Sequence, residues 1–319
     1  MTFDLTTIAY FCLAALAYAL LLPGWARGWA LMIGSAAAIF WLQPRTNIPR
    51  LDYIFQTGVL VLVVACWYFT RPPQPEPAPD TQGIAARPAV NPLRLLRDEN
   101  VIALAILVAL VIGIAATRTL DSDYWLTAWR PPAPDRVALW LVGAAILMTG
   151  LHQIMRFSGQ RRLLTGLILL VVGVFVVLKT EVIAIEASRA LREAMGRDTA
   201  LAAMIDLEWL GFSYVAFRLI HTLRDRQTGK LPDLTLREYT TYVVFAPAYL
   251  AGPIDRAERF VKDFRALPGM TALDADRINM GLTRIAVGLF KKFVIADSLA
   301  LGLSLTATNA DQADGAVGL

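Results

Sequence analysis

Only two cysteines, Cys12 and Cys66, stand in the 319 residues. Both lie inside apolar runs, which excludes a disulfide scaffold and a cysteine-based zinc module. Histidine is equally scarce: His152 and His221 leave no His-rich metal site, and no metal is expected. Charge is thin as well. At 18% charged and 56% hydrophobic residues, the chain departs from the roughly 25% charge of a soluble domain, so a single water-soluble globule is excluded. The formal charge of +4 would suit nucleic acid in another context. With a mean hydropathy of +0.52, the cations belong in loops beside a bilayer, and no nucleic-acid partner is expected. No internal repeat is visible, so the inverted-repeat sign of many transporters is missing.

What remains is an integral membrane protein. A span needs about 20 mostly apolar residues, and six runs qualify as candidates: about Ile8 to Leu22, Trp29 to Leu42, Tyr53 to Phe69, Val101 to Ala116, Val137 to Gly150, and Leu163 to Ile185. The first is no signal peptide, because Asp4 is the only early charge and no small-residue cleavage site follows. Shorter apolar pieces, at about Met204 to Leu223, Tyr239 to Ala251 and Gly281 to Ala296, carry Arg, Lys or Pro and read as interfacial, re-entrant or bundle-internal. The expected fold is all-α: a polytopic helical bundle with re-entrant or interfacial helices. With the amino terminus outside, the inward loops hold the larger share of loop cations, among them Arg71, Arg161, Arg162, Arg224 and Arg226. Arg71-Pro-Pro-Gln-Pro-Glu-Pro-Ala-Pro-Asp80 disfavours helix and reads as an extended linker. Three regions follow: a three-span front at 1–70, a Pro-rich linker at 71–99 and a membrane core at 100–319.

The chemistry concentrates late in the chain. Pro247 and Pro253 break the apolar run that ends near Ala251, and Gly252-Pro253 signals a turn. Asp255, Arg256, Glu258 and Arg259 follow at once. Such a segment leaves backbone groups unpaired in lipid, so it belongs inside protein or along a cavity. Upstream, Tyr214, Arg218, His221 and Asp225 recur at helical steps of four, three and four, placing them on one stripe. That stripe either enters a wet cavity or forms a structural Arg218–Asp225 network. Downstream, Arg277, Arg284 and Lys291 edge an amphipathic helix suited to a membrane surface, with either a lipid headgroup or an anionic acyl donor as its contact. Lys179 and Glu181 close the sixth run and read as a mutual or snorkelling pair.

Leu250-Ala-Gly-Pro-Ile-Asp-Arg-Ala-Glu-Arg-Phe260 resembles the leucine-alanine-glycine-proline-isoleucine signature of membrane-bound O-acyltransferases. The likeness is to the bacterial branch that contains alginate O-acetyltransferases and the D-alanyl transferases of teichoic acid. Gly211-Phe-Ser-Tyr-Val-Ala-Phe-Arg resembles that branch's glycine-x-serine-aromatic-x-x-phenylalanine helix, with Asp225 at its acidic position. Gly288-Leu-Phe-Lys-Lys-Phe-Val-Ile-Ala-Asp297 is similar to its lysine-lysine helix, and Lys179 matches a lysine found in the branch. The resemblance covers about residues 160 to 300.

It implies transfer of an acyl group, acetyl by expectation, to hydroxyls of a cell-surface polysaccharide, in a multi-pass protein of a bacterial plasma membrane. No bound cofactor is implied; acyl-coenzyme A or an acyl-carrier thioester is the donor. The implied partners are membrane lipids, the polysaccharide acceptor, the donor's carrier, and periplasmic or extracellular acetylation proteins. The candidate funnel residues are Tyr214, Arg218, His221, Asp225, Pro247, Gly252, Pro253, Asp255, Arg256, Arg259, Lys291 and Lys292, with Lys262 beside them. The segment around Gly252 is expected to form one wall of an acyl-transfer tunnel. The family's catalytic histidine lies downstream of its lysine-lysine helix, which here places it beyond Leu319, so a C-terminal truncation and an inactive 319-residue product are expected. Two other classes fit the residues: a polytopic transporter or flippase, and a non-catalytic membrane scaffold.

Overall fold

The computed structural model describes residues 5–71, 98–250, 252, 255–270 and 274–299. Residues 72–97 of the Pro-rich linker and Pro253 fall outside the described residues. Every regular element among those described is helical. The chain divides into two units, one of residues 23–269 and one of residues 1–22 with 270–319.

The larger unit holds α2 (Gly24–Leu42), α3 (Leu51–Thr70), α4 (Glu99–Ala116), α5 (Pro134–Ser158), α6 (Gln160–Lys179), α7 (Glu181–Ala194), α8 (Phe212–Gln227), α9 (Leu236–Val243) and α10 (Ala257–Ala266). Among the described residues, four segments are long and apolar enough to cross a membrane: Leu51–Thr70, Glu99–Thr119, Pro134–Met155 and Gln160–Lys179. This marks the chain as a helical membrane protein. Only 6% of the Pro134–Met155 window is buried inside the protein, and Leu139, Ile146 and Leu147 point outward. Apolar faces of that extent are stable only against other chains or lipid.

Two of the six expected runs do not join those four. The run at Trp29 to Leu42 becomes α2, which starts earlier at Gly24 and buries Arg27, Ser35 and much of its apolar face. The first run becomes α1 (Leu5–Leu21) of the smaller unit, 17 described residues with no charged side chain. The sixth run does not continue to Ile185. It breaks at Thr180, whose extended backbone (φ −99°, ψ 111°) separates α6 from the amphipathic α7. Lys179 and Glu181 flank that break, both exposed, because a change of direction at the membrane edge puts charges at the corner.

Hydrogen bonds define the two ends of the larger unit. At one end Trp67 Nε1 donates to Leu234 O (2.9 Å), Leu236 N to Asn100 Oδ1 (2.8 Å) and Gln227 Nε2 to Thr165 Oγ1 (2.9 Å). That end gathers Arg71, Arg161, Arg162, Arg224 and Arg226. At the other end Trp129 Nε1 donates to Thr46 O (2.7 Å) and Asn47 Nδ2 to Asp206 Oδ1 (2.9 Å). The buried Arg192 there makes two bonds to the fully buried Asp206 (2.6 and 3.0 Å), and Ser188 adds a third (2.6 Å). Burial alone would raise the Asp206 carboxyl, but Arg192, Ser188 and Asn47 outweigh it and hold it well below the usual carboxylate range. The same bonds push Arg192 upward.

In the smaller unit, α11 (Ala275–Leu289) is capped by Asp274, whose carboxylate accepts from Asp276 N and Arg277 N. It runs into a π-helical turn at Phe290–Ala296. Ile278, Leu282, Ile285, Leu289 and Phe293 are exposed, as are nearly all the described residues of this helix.

Candidate functional site: a buried hairpin and the cavity at its mouth

The proline-broken segment is a hairpin with a buried first leg and an amphipathic return leg that buries only Ala257, Val261 and Phe264. α9 starts at the arginine-rich end with a capping box: Thr235 Oγ1 accepts from Glu238 N (3.2 Å), and Glu238 Oε2 accepts from Thr235 N (2.9 Å). Leu236, Tyr239, Thr240, Thr241, Tyr242, Val243 and Val244 are all buried. α9 stops at Val243 because Pro247 lacks the N–H that a longer helix would need. A 3-10 turn at Ala246–Ala248 reverses the direction, and α10 returns to the starting end. There Arg265 grips Glu238 through Nε (2.6 Å) and Nη2 (3.0 Å) and also reaches Asp233 O (2.8 Å). Ring contacts between the legs, Tyr242–Phe260 at 5.5 Å and Phe245–Phe260 at 5.3 Å, close the hairpin.

Breaking α9 frees carbonyl groups inside the protein, which are costly unless paired. Arg218 of α8 pairs them. Its Nη1 donates to Tyr242 O (3.1 Å) and Val243 O (2.9 Å), and its Nη2 to Ala248 O (2.9 Å). Arg218 is 3% exposed. The expected Arg218–Asp225 network is therefore corrected: the guanidinium is taken up by backbone carbonyls, because its fork matches the three acceptors that the broken helix leaves. The four residues of the expected stripe lie on one continuous helix, but their burial differs along it. Tyr214 is half-buried and His221 exposed, while Arg218 alone of the four is fully enclosed. The hairpin covers only the part of α8 around Arg218.

Sequence reasoning missed the residues that hold the hairpin tip. Tyr249 Oη donates to Gln56 Oε1 (2.8 Å), Gln56 Nε2 to Gln43 Oε1 (2.6 Å) and Gln43 Nε2 to Glu208 O (2.8 Å). Leu210 N also donates to Gln43 Oε1 (3.1 Å). The signal was present in Gln56, an amide inside the third apolar run that requires a partner. Gly211 serves the same contact. Its φ of +74° is left-handed, and a Cβ there would run into the Tyr249 ring. Trp209 stacks on Phe55 (4.7 Å, 11°) and beside Phe212 (4.5 Å), fixing this entry to α8.

The remaining expected residues fall in three groups. Pro247 is exposed on the turn, and Gly252 allows close approach, since a Cβ there would sit 2.7 Å from Ala248 Cβ. Asp255 accepts from Tyr242 Oη through its carbonyl (2.8 Å) and lies only loosely beside Arg259 (3.8 Å). Arg256, at the start of α10, lines an open cavity of about 350 Å³ together with Asp225, Gly229, Lys230, Leu231, Pro232 and Glu258. Asp225 and Arg256 are thus brought together, and Lys230 joins them unforeseen. Arg259 and Lys262 are exposed on α10. Lys291 and Lys292 belong to the π-helical turn of the smaller unit, where Lys292 Nζ lies 4.9 Å from the Phe293 ring centroid. His152 Nδ1 is 3.3 Å from Tyr68 Oη. Among the described residues, no group of three His, Cys, Asp or Glu side chains is placed to hold a metal ion.

No family model and no solved structure matches the chain. Among curated proteins it is 33% identical over 90 residues to a teichoic acid D-alanyltransferase of Streptococcus thermophilus, covering 28% of this chain and 21% of that protein. Proteins of the same name from Lacticaseibacillus rhamnosus (89 residues) and Bacillus subtilis (90 residues) are each 32% identical, covering 28% of this chain and 22% of theirs. The chain spans about a fifth of the length of these relatives. Over that stretch the likeness supports a relationship with membrane acyltransferases that act on cell-surface polymers.

Proposed function

We propose that the chain supplies the donor-side part of a membrane O-acyltransferase of a bacterial plasma membrane, moving an acyl group from a thioester to a hydroxyl of a cell-surface polymer. The relatives' names favour D-alanyl and a teichoic-acid-like acceptor over acetyl and alginate. In the reaction, the acceptor oxygen forms a bond to the thioester carbonyl carbon. The carbon–sulfur bond breaks, and the acceptor's proton passes through a general base to the leaving thiolate.

One observation carries this reading: the first leg of the proline-broken hairpin is buried, and its surface-lying return leg brings Arg256 to the cavity that Asp225 and Lys230 share. We place the hairpin as a re-entrant element opening on the cytoplasmic side, with the amino terminus outside. There Arg256 and Lys230 attract the phosphate-bearing arm of a coenzyme A or carrier-protein thioester, and Arg259 and Lys262 extend the basic approach. Exposed cations act on such a ligand mainly through attraction at long range, so salt weakens them.

The test is donor binding by the chain in lipid nanodiscs, using non-reactive thioether analogues of D-alanyl and acetyl phosphopantetheine. Saturable binding is expected, weakened by about one order of magnitude in Arg256→Gln combined with Lys230→Gln. Equal binding by the double variant would refute the donor site. Preference for the acetyl analogue would refute the D-alanyl assignment.

A further inference from the structure

A second cavity lies on the other side of Leu231 and Pro232. It measures about 190 Å³ and is lined by Trp67, Thr70, Arg71, Arg226, Asp233 and Leu234, together with the same Leu231 and Pro232. Its place is the arginine-rich end, at the level where α3 finishes.

Two guanidinium groups form its walls, and each keeps donors free. Arg226 is largely enclosed, its side chain 15% exposed. Its Nε is buried and has no hydrogen-bond partner among the described residues. Among the described residues its ion-pair partner is Asp233, 79% exposed and 3.5 Å from Nη2, a weak pairing in contact with water. Three other arginine forks of the unit are engaged, Arg192 by Asp206, Arg218 by three carbonyls and Arg265 by Glu238, and Arg237 lies 2.8 Å from Glu99. Arg71 stacks on the Trp67 ring at 4.2 Å, and stacking occupies the flat face of a guanidinium while leaving its N–H edge available. Trp67 is itself fixed through its Nε1 bond to Leu234 O, and the Arg71 backbone through Gln160 Nε2 (2.9 Å).

A half-enclosed cavity with two arginines, one buried unpaired N–H and a single solvent-screened carboxylate matches a compact oxyanion that accepts several bonds at once. We propose that this cavity binds a phosphate group, with Arg226 as its inner and Arg71 as its outer ligand. Basic pockets between helices at the membrane edge take lipid headgroups by the same chemistry. The group's source is the phosphodiester of an anionic lipid or a soluble phosphorylated compound. This site is separate from the proposed donor mouth and needs no thioester.

The probes are inorganic phosphate, followed through Trp67 fluorescence with Trp67→Phe as the control, and phosphatidylglycerol retained by the chain in native mass spectrometry. In phosphatidylcholine nanodiscs, saturable quenching by inorganic phosphate identifies a soluble ligand. Retention of phosphatidylglycerol with a flat phosphate titration identifies the lipid. In either case Arg226→Gln and Arg71→Gln are each expected to weaken binding about tenfold. Arg71 is exposed, so its variant tests the site even where Arg226→Gln lowers expression. Absence of both signals, or equal binding by wild type and the Arg71→Gln variant, would overturn the proposal.

Discussion

At the residue scale the hairpin depends on a few side chains whose roles are backbone satisfaction and close approach. Arg218 provides a fork to three carbonyls, and this predicts that charge alone will not substitute for it. Arg218→Lys keeps the cation but cannot span the three acceptors. Both Arg218→Lys and Arg218→Gln are therefore expected to lose at least about 2 kcal/mol of stability. Thermal unfolding in detergent checks this, and a Lys variant that melts with wild type would show the fork to be dispensable. Gly211 makes a second case. Its positive φ and the adjacent Tyr249 ring predict a loss of about 2–3 kcal/mol for Gly211→Ala, from strain and overpacking together. Gly34→Ala, where nothing lies within 4 Å of the added carbon, is expected to be stable and serves as the comparison.

At the element scale, the sequence displayed α9's failure as a helix more clearly than it displayed what compensates for it. Pro247, the Gly252 turn and the charges after it were legible because each is a local signal. The Arg218 fork and the Tyr249–Gln56–Gln43 chain were not, because they join residues up to 193 positions apart and no local pattern encodes such a pairing. The kink at Thr180 was marked by Lys179 and Glu181, but the apolar Val182-Ile183-Ala184-Ile185 beyond them carried the run past the break. The four segments long enough to span were legible from apolar length, whereas α2 was read too short because Arg27 is buried and does not end the helix.

The tie between α7 and the turn at Met204–Leu207 carries a pH dependence. Asp206 has a folded-state pKa below its unfolded value, so its stabilisation is complete above about pH 4 and is lost as pH falls below that. Melting temperature is expected to drop with acidification below about pH 4. Asp206→Asn is expected to flatten that drop while lowering the plateau at neutral pH by about 3–5 kcal/mol, since it leaves Arg192 buried without its counter-charge. An acid profile identical in wild type and variant would remove Asp206 from the account.

At the scale of the whole molecule, helices with outward apolar faces join a hairpin whose first leg is enclosed by protein and whose two ends return to the arginine-rich end. The measurement that bears most directly on this is site-directed accessibility in proteoliposomes. It uses single cysteines at Val243, Ala246, Lys230 and Arg256 in a background lacking Cys12 and Cys66. The account predicts that Lys230→Cys and Arg256→Cys react with a membrane-impermeant maleimide from the same face of the bilayer. Val243→Cys should resist both that reagent and spin-label relaxation by lipid-dissolved oxygen, with Ala246→Cys intermediate. Labelling of positions 230 and 256 from opposite faces, or strong oxygen relaxation at position 243, would place the hairpin across the bilayer or against lipid and contradict the account.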